Sequence, residues 1–346
     1  MNDLHPVVDL HCDLLSYLTE VAGADPANPD DIGCAVPHLR NGRVAIQVLA
    51  VYTGGEADRV ASLERQLRRF DGLVGSEDGE FARVRGTEDA LRALSGATAG
   101  PPPDSGRAAA VGAVLAIENA AGLVADDASR DEMFARLDRI RADQGPVLYI
   151  SLTHFAENRF GGGNATQVGL KDDGRALLDY LEGTRIAVDL SHASDALARE
   201  ILDHLDRHGL AVPVLASHSN FRAVCDHARN LPDELAREVI HRRGLIGINF
   251  LRAFVHPDRS VALVEHVRHG LELGGASTLC FGADFFCLRQ HPDPARQPFF
   301  HPEHESASRY PSILRDLASV MDRPALEKLA HGNAVDYLQR IWGDDA

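Results

Sequence analysis

The stretch RIAVDLSHASDALAREILDHLDRHGLAVPVLASHS, residues 185–219, decides how the rest of the chain is read. It begins with one apolar run, Ile186–Leu190, and closes on another, Val212–Ala216. Apart from Asp189, both are apolar on consecutive positions rather than alternating, the pattern of strands buried on both faces of a parallel sheet. Between them, Ser194–His208 spaces apolar residues three and four apart, as a helix with one buried face does. Ser194 and Asp195 supply capping chemistry at its start. The stretch is a strand–helix–strand unit, and each strand runs into a Ser-His pair, Ser191-His192 and Ser217-His218.

The unit recurs along the chain. Further apolar runs at Val7–Leu10, Val44–Val51, Val111–Ile117, Val147–Leu152, Leu245–Phe250 and Thr278–Gly282 bring the expected strands to eight. Helical patterns at Ala57–Leu73, Arg130–Asp143, Gly174–Glu182, Pro232–Arg243 and Val261–Leu273 lie between most of them. Eight such repeats predict an α/β fold, a (β/α)8 barrel of the TIM type, with a doubly wound open sheet as the competing arrangement. Ser312–Trp342 reads as a C-terminal helical segment, broken near Asp322–Pro324 and at Gly332, that packs across the barrel. No domain linker interrupts the pattern, so residues 1–346 are expected to form one domain. Three segments read as loops: Ser95–Ala109 at the surface, Asn158–Gln167 as a flexible loop, and Phe285–Ser306 as a mobile, solvated one carrying His291, His301 and His304.

Composition narrows the function classes. Acidic residues number 51 against 35 Lys and Arg, a net charge of −16 that repels phosphate backbones, so no nucleic-acid partner is expected. No apolar run approaches the roughly 20 residues needed to cross a bilayer, and no signal-peptide pattern is visible, so the expectation is a cytoplasmic protein with no membrane partner. The five cysteines form no CxxC pair and read as reduced thiols.

The chemistry gathers where strands end. The first strand runs into His11-Cys12-Asp13, the third into Glu118-Asn119, the fourth into Thr153-His154, and the last into Asp284. In a barrel these positions converge at the C-terminal mouth, where active sites of the fold are built. Alone, an HxD pair or a strand-end Glu is as readily a capped or surface residue. The Ser-His pairs lack the GxSxG elbow of a serine nucleophile, so their serines are expected to support backbone or ligands instead. Together, His11, Asp13, Glu118, His192 and His218 fit a two-metal site. His11 and Asp13, two apart, can grip one ion, His192 and His218 a second, and Glu118 can bridge them. Such a site polarises a carbonyl and lowers the pKa of a bridging water.

Seven stretches resemble the membrane (renal) dipeptidase family, amidohydrolase-like metal-dependent hydrolases. They are DLHCD (9–13), IEN (117–119), SLTH (151–154), VDLSHAS (188–194), SHSNFRAVCDHARNLPDE (217–234), GINF (247–250) and GADF (282–285). HGNAVDYL (331–338) resembles the family's closing helix. The resemblance runs from residue 9 to about 338 and implies roles. Two Zn2+ ions, or other divalent metals, would be held by the five residues above, with Glu118 also catalytic. His154 would bind substrate and stabilise the oxyanion. Arg229 would pair with the terminal carboxylate through its planar fork. Asp284 would hold the free amino group and protonate the leaving nitrogen. The implied reaction is hydrolysis of a small dipeptide by a metal-bridging hydroxide. The alternative is the same chemistry on an N-acyl amino acid, a modified dipeptide or a cyclic amide. A homodimer is also implied. The chain departs from the family after the last strand, where Asp284-Phe285-Phe286-Cys287 replaces an acidic-glycine continuation, at Asn119 where glycine is common, around residues 155–164 and in the helix Leu177–Gly183. These departures touch the pocket wall and leave the metal ligands intact.

Overall fold

The structure, a computed structural model, describes residues 5–54, 58–76, 79–99, 109–290 and 293–343. Its strands are β1 (Val7–Cys12), β2 (Val44–Tyr52), β3 (Phe81–Arg83), β4 (Val111–Glu118), β5 (Val147–Ser151), β6 (Ala187–Asp189), β7 (Val214–Leu215), β8 (Ile246–Ile248) and β9 (Leu279–Phe281). All pairings among them are parallel, in the order β7-β6-β5-β4-β2-β1-β9-β8. A parallel bridge between Ala216 and Ile246, with the Gly247 N–H donating to the Ala216 carbonyl at 2.8 Å, joins the two ends. The sheet therefore closes into a barrel, and the open doubly wound alternative is excluded.

Every residue of β1 and β4 is buried, which is why these runs are apolar on both faces rather than alternating. One apolar cluster packs the strands against the helices outside. The other joins Val8, Ile46, Val114 and Leu148 to Val335 and Leu338 of the last helix, Asn333–Trp342. That helix and the turn before it reach the starts of several strands. His331 bonds the Pro6 carbonyl, Asn333 donates to the Leu279 carbonyl, and Tyr337 donates to that of Val214. The last helix thus floors the barrel at its N-terminal end and leaves the C-terminal mouth for chemistry.

Several expectations are corrected. A ninth strand, β3, pairs with the first residues of β4, Val111–Ala113, ahead of the part of β4 that pairs with β5. Residues 95–99, read as loop, finish a helix, Thr87–Ala99, whose first turn carries Glu88 and Asp89 beside the positive end of its dipole. Residues 100–108 of that predicted loop, and His291, lie outside the described residues.

The glycine-rich segment 158–167 is not a loose loop. Gly161 and Gly163 bridge to Leu170 and Ala193, and the Asn158 side chain donates to the Leu152 carbonyl at 2.8 Å. A Cβ at Gly163 would lie 2.1 Å from the His154 carbonyl oxygen, so glycine permits this close approach. The segment 285–306 is likewise anchored in its described part. His301 and His304 are buried, and His301 Nε2 lies 2.8 Å from the His256 carbonyl. Among the described residues, no helix is long and apolar enough to cross a membrane.

Candidate metal centre

Residues from the ends of six strands converge at the mouth. His11 belongs to β1, but the strand's register shifts between Asp9 and Cys12, and Asp13 has already left it as the residue preceding the helix Leu14–Glu20. The two side chains meet all the same: His11 Nε2 lies 3.7 Å from Asp13 Oδ1, 3.6 Å from Glu118 Oε2 and 3.7 Å from Asp284 Oδ1. On the other side of Glu118, its Oε1 lies 2.8 Å from His192 Nε2 and 3.5 Å from His218 Nε2. The two imidazole nitrogens are 2.9 Å apart. Glu118, only 2% exposed, thus offers one oxygen to each set.

The surroundings fix which nitrogen each imidazole presents. His11 Nδ1 lies 2.8 Å from the Tyr149 hydroxyl, which donates its own proton to the Leu10 carbonyl at 3.0 Å. Nδ1 is therefore a donor, and Nε2 is the nitrogen that faces the carboxylates and is left for a metal. His218 is set the same way. Its Nδ1 lies 2.6 Å from the Ser217 hydroxyl, which donates to Asp189 Oδ2 at 2.5 Å. Asp189 Oδ1 accepts the Ser191 and Ser217 N–H groups, so a buried carboxylate organises both Ser-His turns. The serines support the ligands and do not stand as nucleophiles. His192 and Asp284 hold positive φ, 68° and 64°, a conformation costly for residues with side chains and found where the surroundings enforce it.

The electrostatics call for cations. Burial pushes the Glu118 carboxyl up, and the nearby Asp13 and Asp284 reinforce this against the pull of His11. Burial also raises Asp284, to about 6. Burial alone would lower His11, yet Glu118 and Asp13 outweigh it and push it up to about 10. Burial lowers His192 and His218 well below the usual imidazole range, keeping them in the neutral form that binds metals. His11 Nε2 and Asp13 Oδ1 are buried without a hydrogen-bond partner, beside three candidate ligand sets linked through His11 and Glu118. Those sets are His11-Glu118-His218, Glu118-His154-His192 and His11-Asp13-Asp284. Orphaned ligand atoms, neutral imidazoles and crowded carboxylates all fit a divalent metal centre.

The sequence offered no role for Tyr149 or Asp9, and marked Asn249 on its strand without the hold on Asp284. Asp9 Oδ1 accepts the His11 and Ala283 N–H groups, and its Oδ2 accepts from the Tyr310 hydroxyl, tying β1 to β9 at the site. Asn249 Nδ2 donates to Asp284 Oδ2 at 2.8 Å. The aspartate strand motif DLH was the available signal for Asp9. Nothing in sequence placed Tyr149 against His11.

The remaining predicted residues line a cavity of about 710 Å3 over the centre. The His154 ring lies 4.2 Å from that of His192 and meets Tyr52 edge-on. Arg229 is 4% exposed; it donates to the Ser219 hydroxyl at 2.8 Å and to the His218 carbonyl at 3.1 Å. The acidic residues that follow it closely in sequence are engaged elsewhere, Asp233 with His269 and Glu234 with Arg199. A buried guanidinium with no carboxylate paired to it among the described residues, facing a cavity, suits an anionic group of a ligand.

Comparison with known proteins agrees with this fold. A dipeptidase described as a metallopeptidase of family M19 superposes with a TM-score of 0.80 at 20% identity, covering 99% of this chain and 100% of that one. A metallopeptidase from Rhodobacter sphaeroides, liganded with a phosphinate mimic of the dipeptide L-Ala-D-Ala, superposes with a TM-score of 0.81 at 19% identity, covering 98% and 100%. An uncharacterized dipeptidase of Schizosaccharomyces pombe is 29% identical over 181 residues, which is 50% of this chain but only 41% of that relative's length. The model of the membrane dipeptidase family (peptidase family M19) matches residues 1–344. The chain belongs to that family of metallopeptidases.

Proposed function

We propose that the protein is a binuclear zinc dipeptidase. The observation that carries this reading is Glu118, whose Oε2 faces His11 and whose Oε1 faces His192 and His218, with the His11 and His218 rings stacked 3.7 Å apart beside it. His11 and Asp13 would hold one ion, His192 and His218 the second, and Glu118 would touch both, with Asp284 beside the first. Bound there, such ions supply Lewis acidity toward a carbonyl and lower the pKa of water.

The chain's own groups account for the rest. Arg229 receives the terminal carboxylate through its fork, already oriented by Ser219 and the His218 carbonyl. Asp284, held by Asn249, takes the substrate's amino group and carries a proton to the departing nitrogen. His154 donates to the oxygen that gains charge as the carbonyl is attacked. That a fold relative accepts a dipeptide mimic supports a dipeptide-sized substrate.

A panel of dipeptides against N-acyl amino acids tests this. Dipeptides are expected to be cleaved, and Glu118→Ala to abolish cleavage. Exclusive turnover of N-acyl amino acids would favour the related amidohydrolase reading. Arg229→Ala with unchanged KM would overturn the carboxylate assignment.

A further inference from the structure

One wall of the cavity is not needed by any group assigned so far. It is mainly apolar: the segment 251–257 after β8 contributes Leu251, Phe254 and Pro257, and the segment after β9 contributes Phe286, Pro298 and Phe299, while Arg252 and Arg296 also line the cavity and the Arg296 guanidinium lies 5.3 Å from the Phe299 ring. The segments are fastened together. The Arg252 N–H donates to the Phe299 carbonyl at 2.8 Å, Arg252 Nε donates to the Pro298 carbonyl at 2.7 Å, and Leu251 bridges Phe300. Phe286 meets Phe299 edge-on, with ring centroids 5.2 Å apart, and both are largely buried. A wall tied at several points keeps its shape without a ligand, so an apolar group entering it meets little reorganisation cost.

Resting on the dipeptidase reading, we propose that Phe286 and Phe299 form a subsite for a large apolar or aromatic side chain on the amino-terminal residue of the dipeptide. The assignment of ends follows from the charges. Asp284 takes the amino group, and Phe286 lies two residues beyond it in the chain. The side chain of the amino-terminal residue leaves from the carbon that carries this amine. The carboxylate end is drawn instead to Arg229, whose guanidinium lies 5.8 Å from the Phe254 ring. Phe254 therefore borders the other residue. Phe286 stands where the family resemblance leads one to expect an acidic residue, so the subsite belongs to this chain.

The test compares kcat/KM of the metal-loaded enzyme for Phe-Ala, Ala-Phe and Ala-Ala, in the wild type and in Phe286→Ala, Phe286→Leu and Phe299→Ala. One added methylene in an apolar pocket discriminates by about tenfold or more. Phe-Ala is expected to exceed both other substrates by at least about that factor, mainly through KM. The preference should collapse in Phe286→Ala and Phe299→Ala and partly return in Phe286→Leu, which preserves packing. Equal turnover of the three substrates, or variants that slow all three alike, overturns the subsite. If no dipeptide is cleaved, the dipeptidase reading falls and the subsite is judged by calorimetric titration with free phenylalanine and alanine. Tighter binding of phenylalanine, lost in Phe286→Ala, upholds it, and equal binding overturns it.

Discussion

Tyr149 shows how a residue outside the ligand set governs the centre. By accepting from His11 Nδ1 it fixes the ring so that Nε2 faces the carboxylates. Tyr149→Phe keeps the ring and removes this acceptor. Metal affinity should fall about 10- to 100-fold, as for other supports of metal-bound histidines, with little change in melting temperature. A fluorescent-chelator competition assay measures it, and unchanged affinity would contradict the role. Ser217→Ala should act similarly through His218, because it breaks the link to Asp189. The candidate ligands themselves are legible in the sequence, because solvation of strand ends does not call for metal-binding residue types at so many of them. Their supports are not. Tyr149 reads as one more apolar strand residue, and Ser217 as a common polar one. Only the barrel's closure brings Tyr149 from β5 against β1.

At the scale of elements, the last helix and the helix Ala262–Glu272 make separable predictions. Leu338 in the floor of the barrel is buried among Val8, Ile46 and Leu148. Leu338→Ala should cost about 2–5 kcal/mol in urea denaturation and leave metal stoichiometry unchanged, since the floor lies at the opposite end from the centre. His266 links its helix to two other segments: Nδ1 accepts from the Phe221 N–H and Nε2 lies 2.9 Å from the Val255 carbonyl. Burial pushes its pKa down to about 4 from the ordinary 6.5. Between those values the unfolded chain binds the extra proton and the folded one does not. The stabilisation is therefore whole above about pH 6.5 and is lost as pH falls toward 4, by roughly 3 kcal/mol. His266→Asn should flatten that part of the pH–stability curve, and an unchanged slope would show that His266 does not carry it. The element order was readable because consecutive apolar runs announce buried parallel strands. β3 escaped notice because charged residues at Glu80, Arg83 and Arg85 leave Phe81–Arg83 without the consecutive apolar run that marks the other strands. Segments 158–167 and 285–306 looked loose from their Gly, Pro and His content. Composition registers chain flexibility but not the long-range bonds that pin Asn158 and His301.

Taken whole, the molecule is a closed scaffold that gathers buried carboxylates and neutral imidazoles at one end, a costly arrangement without cations. Metal binding should accordingly stabilise the fold. At a hundredfold excess over Kd, the gain is about 2.7 kcal/mol per ion, so chelation should lower the melting temperature by several degrees. The two-ion claim itself is tested most directly by titrating zinc into the chelated protein while following dipeptide hydrolysis. Activity should return in proportion to metal and level off at two equivalents per chain. A plateau at one equivalent, or no hydrolysis at any zinc level, would contradict the binuclear assignment.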